Sequence, residues 1–187
     1  MPMPTLQSTR LLLRTLVLSD SLDVQRLAGD RDVASTTSHI PHPYVNGMAE
    51  EWISSRLAAY ESGEQAVFAV ARQSDHAFLG VIGLILNQTD SNAEMGYWIG
   101  KPYWNQGYGT EAAGAVLKYA FEQLGLNRVF AAHYRRNLAS GRIMEKIGMT
   151  YEGRLRQHLK KWDNFEDMEY YGILKSEYLA MTPKASD

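Results

Sequence analysis

Apolar and polar residues alternate along the chain in short blocks, and the period of alternation changes from block to block. Residues 10–15 hold Leu11 and Leu13 in a loose two-residue period, which predicts a first strand. Residues 21–28 and 48–60 follow helical spacing, the second placing Ile53 and Leu57 on the face of Trp52 and Tyr60. Between them Ile40-Pro41-His42-Pro43-Tyr44 reads as an extended loop. Residues 66–71, 78–86 and 93–99 are three short apolar runs separated by Ser74-Asp75 and by residues 87–92, the pattern of an antiparallel meander. Residues 110–124 carry Ala113, Val116, Ala120 and Leu124 at steps of three or four, and Gly125 stands where a left-handed cap ends a helix. A strand at 128–134, a helix at 137–147 stopped by Gly148, and strands at 150–160 and 166–174 complete the pattern. The order β-α-α-β-β-β-α-β-α-β-β predicts a mixed α/β (α+β) arrangement around one sheet.

No repeat and no Pro/Gly/Ser linker divides the chain, so its 187 residues are expected to form a single domain over 5–180, with 1–4 and 181–187 as flexible termini. A net charge of −2 argues against a globally basic nucleic-acid binder. The longest apolar stretch, residues 78–86, contains two glycines and falls far short of the ~20 residues that span a bilayer. The N-terminal segment lacks the continuous apolar run of a signal peptide, and the expectation is a cytoplasmic protein. There is no cysteine, which excludes disulfides, thiolate metal sites and any route through a cysteine thioester. The five histidines show no helical metal-pair spacing, and no metal is expected.

The most informative stretch runs from Glu94 through Tyr97, Trp98 and Ile99 to Trp104-Asn105-Gln106-Gly107-Tyr108-Gly109-Thr110-Glu111. Gly107 and Gly109 follow a predicted strand and precede the strongest predicted helix. Glycines let the backbone approach a ligand, and the first N–H groups of a helix have no internal partner, so such a turn can hold a diphosphate. An isolated G-x-G is more often only a tight strand-to-helix turn. Thr110-Glu111 after Gly109 excludes a P-loop, and the strands preceding the loop place it too late for a dinucleotide-binding fold. Glu111 would repel a bound phosphate and is expected to face away.

With these residues in view, nearly the whole chain resembles the GNAT superfamily of acetyl-CoA-dependent N-acetyltransferases, and within it the RimJ/RimL-type branch. Thr9-Arg10-Leu11 with Leu13-Arg14 is similar to that branch's first strand, and Pro43-Tyr44 through Trp52 to its early helical region. Gly96-Tyr97-Trp98-Ile99 with Gly107 to Ala112 resembles its cofactor strand and pyrophosphate loop. Asn137-Leu138-Ala139-Ser140 with Glu145-Lys146-Ile147-Gly148-Met149 matches the next cofactor helix, and Glu152-Gly153 with residues 167–174 the closing strands. The resemblance implies a GNAT fold with a mixed, mostly antiparallel central sheet flanked by helices. It implies acetyl-CoA as cosubstrate and direct acetyl transfer to a primary amine, either a protein N-terminus or a small molecule. The alternative is a non-catalytic acyl-CoA-binding or sensory module. Either a monomer or a homodimer is compatible.

The resemblance assigns acetyl-CoA binding to Trp98, Ile99, Trp104, Asn105, Gln106, Gly107, Tyr108, Gly109, Thr110, Asn137 and Ser140. Trp104 stands where the wider superfamily has Gln or Arg, which leaves the backbone to bind phosphate. Many members carry a tyrosine acid where this chain has Met144, and some RimL-type enzymes a carboxylate where it has Leu159. Ser140 is the substitute acid. An alkyl ammonium must lose a proton before it attacks, and Glu94 is the first candidate base, His158 the second. Glu94 reads equally as a solvated strand residue, His158 as a side chain packed beside Trp162, and Asn137 as a helix cap. Residues 128–161 contain nine basic and two acidic residues, and Arg142 and Lys146, four apart on one helix face, are candidates for the cofactor's phosphates. Such a run is also what a solvated face looks like. Asp163, Glu166, Asp167 and Glu169 either draw in a cationic acceptor or form a solvated hairpin. Nucleic acid is disfavoured because the rest of the chain is net acidic.

Overall fold

The computed structural model describes residues 3–181. Of the termini expected to be flexible, residues 1–2 and 182–187 lie outside the described residues, whereas Met3 packs on the core and Met181 ends a helix. Eight strands form one sheet: β1 (Leu6–Gln7), β2 (Leu11–Thr15), β3 (Gln65–Arg72), β4 (Phe78–Asn87), β5 (Asn92–Ile99), β6 (Arg128–Tyr134), β7 (Thr150–Lys161) and β8 (Asn164–Leu174). Their spatial order is β1-β2-β3-β4-β5-β6-β8-β7. The predicted meander is β3-β4-β5, antiparallel throughout, and among the described residues the sole parallel pair is β5 with β6.

The sheet separates two apolar layers. On one face α4 (Tyr108–Lys118) buries Ala112, Ala113, Val116 and Leu117 against Leu11, Phe68, Leu84 and Met95, and α5 (Leu138–Lys146) adds Met144. On the other, α1 (Ser21–Ala28) and α3 (Met48–Glu61) cover Ala69, Phe78 and Val81 with Val24, Leu27, Ala49 and Ile53. The first seven residues of β4 are buried, so this central strand reads as an unbroken apolar run. The sequence pattern missed β1, α2 (Arg31–Ser35) and α6 (Lys175–Met181), of two, five and seven residues, which are too short to establish a period.

Two helices differ from their predicted form. In α3 the inward stripe is Ala49, Ile53 and the half-buried Trp52, Arg56 and Tyr60, while Leu57 is 36% exposed and lies outside it. The helix predicted from Thr110 begins at Tyr108, and its last turn widens to a π-turn over Tyr119–Gln123. That turn buries Tyr119, Ala120 and Phe121 in succession, which an α-helical turn does not favour on a one-sided surface. Gly125 then ends the segment with a left-handed φ of 68°, as its position predicts.

Candidate active site

The site begins with a failure of strand pairing. β5 and β6 share only the pairs Asn92–Arg128, Ala93–Val129 and Glu94–Phe130 and then diverge, although β5 continues to Ile99 and β6 to Tyr134. Beyond Glu94 the facing edges of both strands have no strand partner, which leaves backbone N–H and C=O groups to line a V-shaped cleft.

A loop from Gly100 to Gly107 closes the wide end of β5. Its Lys101–Tyr103 segment is a 3₁₀ turn, and Asn105 and Gly107 are left-handed with φ of 60° and 80°. The Trp104 indole N–H donates to the Ile99 carbonyl at 2.6 Å, so Trp104 serves the loop's shape. Gly107 precedes α4 with no side chain capping the helix start, so the first-turn N–H groups of Tyr108, Gly109 and Thr110 have no side-chain acceptor among the described residues. The two glycines divide the work: Gly107 supplies the left-handed turn, whereas a Cβ on Gly109 would lie 2.9 Å from Ile143 Cδ1 of α5. Gly109 therefore lets α4 and α5 approach each other.

Glu111 faces the β1–β2 turn. It accepts from the Ser8 hydroxyl at 2.8 Å, from the Arg10 backbone N–H at 2.7 Å and from Arg10 Nε at 2.7 Å. Burial opposes ionisation of this carboxyl, but those hydrogen bonds outweigh it and hold the pKa below the usual range. Arg10 Nη1 also donates to the Gln106 carbonyl at 3.0 Å, and its guanidinium lies over the Tyr108 ring. Sequence reasoning missed this brace, whose parts are a hundred residues apart in the chain.

Asn137 caps α5, its side-chain oxygen accepting from the Ser140 N–H at 3.4 Å. Ser140, one turn in, meets Tyr97 of β5, with its Oγ 2.8 Å from the phenol oxygen. Arg142 and Lys146 are exposed on α5 and have no carboxylate partner among the described residues, whereas Met144 is 1% exposed and belongs to the core. Of the other basic residues in 128–161, Arg128 pairs with Glu152, Arg136 with Glu166, and Arg154 and Arg135 with Glu169. Glu166 and Glu169 are thus engaged by the domain's own arginines, and Asp167 accepts from the Gln157 N–H at 3.0 Å.

The two candidate bases lie on the sheet face opposite α5. Glu94 is exposed at the point where β5 and β6 part, and it carries no ion pair among the described residues. Its charge reaches Tyr170 of β8, whose phenol pKa is raised by burial and then by Glu94. His158, exposed on β7, stands edge-on to the same Tyr170 ring with centroids 6.3 Å apart. A register shift between Leu155 and Leu159, with Gln157 left-handed at φ 49°, aims His158 there. Tyr170, absent from the sequence-derived candidates, joins the two. Trp98 points into the α1/α3 layer, its ring 6.1 Å from Phe78, and Ile99 is buried at 9%, so these two residues offer the cleft mainly backbone. Among the described residues no acidic or histidine cluster is arranged to hold a metal, and no helix is long and apolar enough to cross a membrane.

This geometry agrees with the comparisons. Residues 10–150 match the acetyltransferase (GNAT) domain family. An uncharacterized N-acetyltransferase of Bacillus subtilis, YnaD, is 30% identical over 170 residues, which is 90% of this chain and 96% of the relative. The crystal structure of a GNAT-family acetyltransferase from Bacillus anthracis superposes with a TM-score of 0.83 at 28% identity, over 93% of this chain and all of that one. RimL, a ribosomal alpha-N-protein acetyltransferase solved in complex with coenzyme A, shares the fold with a TM-score of 0.85 at 16% identity, over 91% and 98% of the two chains. A sheet that splits beside a left-handed glycine turn, together with these matches, makes the chain a member of the GNAT family of acetyltransferases.

Proposed function

We propose that the protein transfers acetyl from acetyl-CoA directly to a primary amine within a ternary complex. The observation that carries this reading is the unpaired β5–β6 cleft ending at the uncapped start of α4. The N–H groups from Gly107 to Thr110 would take the diphosphate, Asn137 and the open edge of β5 the pantetheine arm, and Arg142 and Lys146 the outer phosphate. The residues present fit such a polyanion: Glu111 is turned to Arg10 and Ser8, so no carboxylate contests the turn. A thioester supplies an acyl carbon already activated toward amines. Glu94, alone or through water, takes the ammonium proton, with Tyr170 and His158 beside it; β5 N–H groups polarise the acyl oxygen, and Ser140 faces the sulfur.

The absence of cysteine supports direct transfer, and ping-pong kinetics with a trapped acetyl-enzyme would refute it. Paired acids on the β7–β8 hairpin weaken the idea of an acidic funnel for a polyamine, so a protein N-terminus or a small monoamine suits the face better. Incubation with acetyl-CoA and a panel of peptides and amines, read as free thiol, tests the reading. We expect thiol release with at least one primary amine, whereas tight CoA binding with no turnover on any acceptor would favour a binding module.

A further inference from the structure

Ser140 Oγ is already engaged from across the cleft. Tyr97 projects from β5 beyond the last residue paired with β6, and its phenol oxygen lies 2.8 Å from Ser140 Oγ and 3.2 Å from the Ser140 carbonyl. This contact ties the open edge of one strand to the first turn of α5. Burial pushes the Tyr97 phenol up to about 12, so the phenol keeps its proton at neutral pH. A phenol has one proton to give, and the nearer acceptor is Oγ; the Ser140 carbonyl is the longer contact and is already within a helical ladder. When Tyr97 donates to Oγ, the serine proton must point elsewhere.

We propose that Tyr97 is a positioning residue for the acetyl transfer: its phenol donates to Ser140 Oγ and so holds the serine O–H aimed into the β5–β6 cleft, where it stabilises negative charge on the departing sulfur. The inference rests on the acetyl-CoA reading above. In the balanced step the amine nitrogen bonds the acetyl carbon and its proton passes through Glu94 to water. The C–S bond breaks with its electron pair on sulfur, which the Ser140 O–H holds until water protonates it. Met144 is a buried thioether and supplies no proton, so the hydroxyl pair takes over a task that relatives give to one tyrosine.

The probe is CoA itself, with no acceptor present. Its thiol is titrated by ultraviolet thiolate absorbance in complexes with the wild-type chain, Tyr97→Phe, Ser140→Ala and the double variant. Calorimetry gives each affinity, and thermal melting verifies folding. In the wild-type complex the bound thiol should titrate about one pKa unit below free CoA, because a hydrogen bond to the charged form favours it. Tyr97→Phe should return at least half of that shift with CoA affinity little changed, and Ser140→Ala should return nearly all of it. The double variant should match Ser140→Ala alone, since Tyr97 acts through Ser140. Equal thiol pKa values in wild type and Tyr97→Phe, or a Tyr97→Phe effect that adds in full to Ser140→Ala, would overturn the role of Tyr97 and leave the CoA reading intact. A wild-type chain that does not bind CoA overturns both.

Discussion

At Gly107 the backbone turns left-handed at φ 80°, and any side chain there is strained by about 1–2 kcal/mol before it meets a ligand. Gly107→Ala should lower stability by about that amount. Gly107→Glu adds a carboxylate at the mouth of α4 and should weaken CoA binding at least about a hundredfold while the fold persists, as charge-assisted contacts are lost. Calorimetry beside thermal melting separates the two effects; unchanged affinity in the glutamate variant would remove the phosphate turn from the site. Glu94→Gln should lower kcat by about 10²–10⁴ with KM for acetyl-CoA unaltered, as removal of a general base does, and His158→Ala by less than about tenfold. Steady-state kinetics would reverse the two roles if His158→Ala proved the more damaging. Glu111 gives a pH signature: its folded pKa is depressed below the ordinary 4.5, so its stabilisation is present above that value and fades as pH falls through the folded pKa. Glu111→Gln should cost about 1–2 kcal/mol at pH 7, discounted because Arg10 is half-exposed, and the difference from wild type should vanish in strong acid. Melting curves across that acid range are the check; a constant difference would mean that the carboxylate charge is irrelevant.

At the scale of elements, the sequence made the long, strongly patterned pieces legible. The strand at 128–134 and the helix at 21–28 have the observed bounds, because each repeats its period over at least seven residues against one face of the core. Leu57 misled because an isolated apolar residue at helical spacing does not say which side of α3 the sheet covers. The glycine turn, the Asn137 cap and the exposed Arg142 and Lys146 were legible from local chemistry. The brace from Glu111 to Arg10 and the meeting of Tyr97 with Ser140 were not, since each joins segments brought together only by the sheet order. Nor was the convergence of Glu94 and His158 on Tyr170, which depends on a register shift in β7. Asn137→Ala should destabilise by about 1 kcal/mol through the lost cap and also raise KM for acetyl-CoA. A purely structural cap would leave KM unchanged.

For the molecule as a whole, ion pairs decide what the charge pattern means. Four of the nine basic residues in 128–161, Arg128, Arg135, Arg136 and Arg154, pair with Glu152, Glu166 and Glu169, whereas Arg142 and Lys146 on α5 have no carboxylate partner among the described residues. Arg142→Glu with Lys146→Glu should therefore weaken CoA binding and flatten its dependence on salt, while duplex DNA should give no mobility shift with the wild-type chain at physiological ionic strength. The location of the ligand is settled by the structure of the protein crystallised with acetyl-CoA. The expected result is the acyl arm between the diverging ends of β5 and β6 and the diphosphate within hydrogen-bonding distance of the backbone nitrogens from Gly107 to Thr110. A ligand bound on another surface, with that turn left empty, would contradict it.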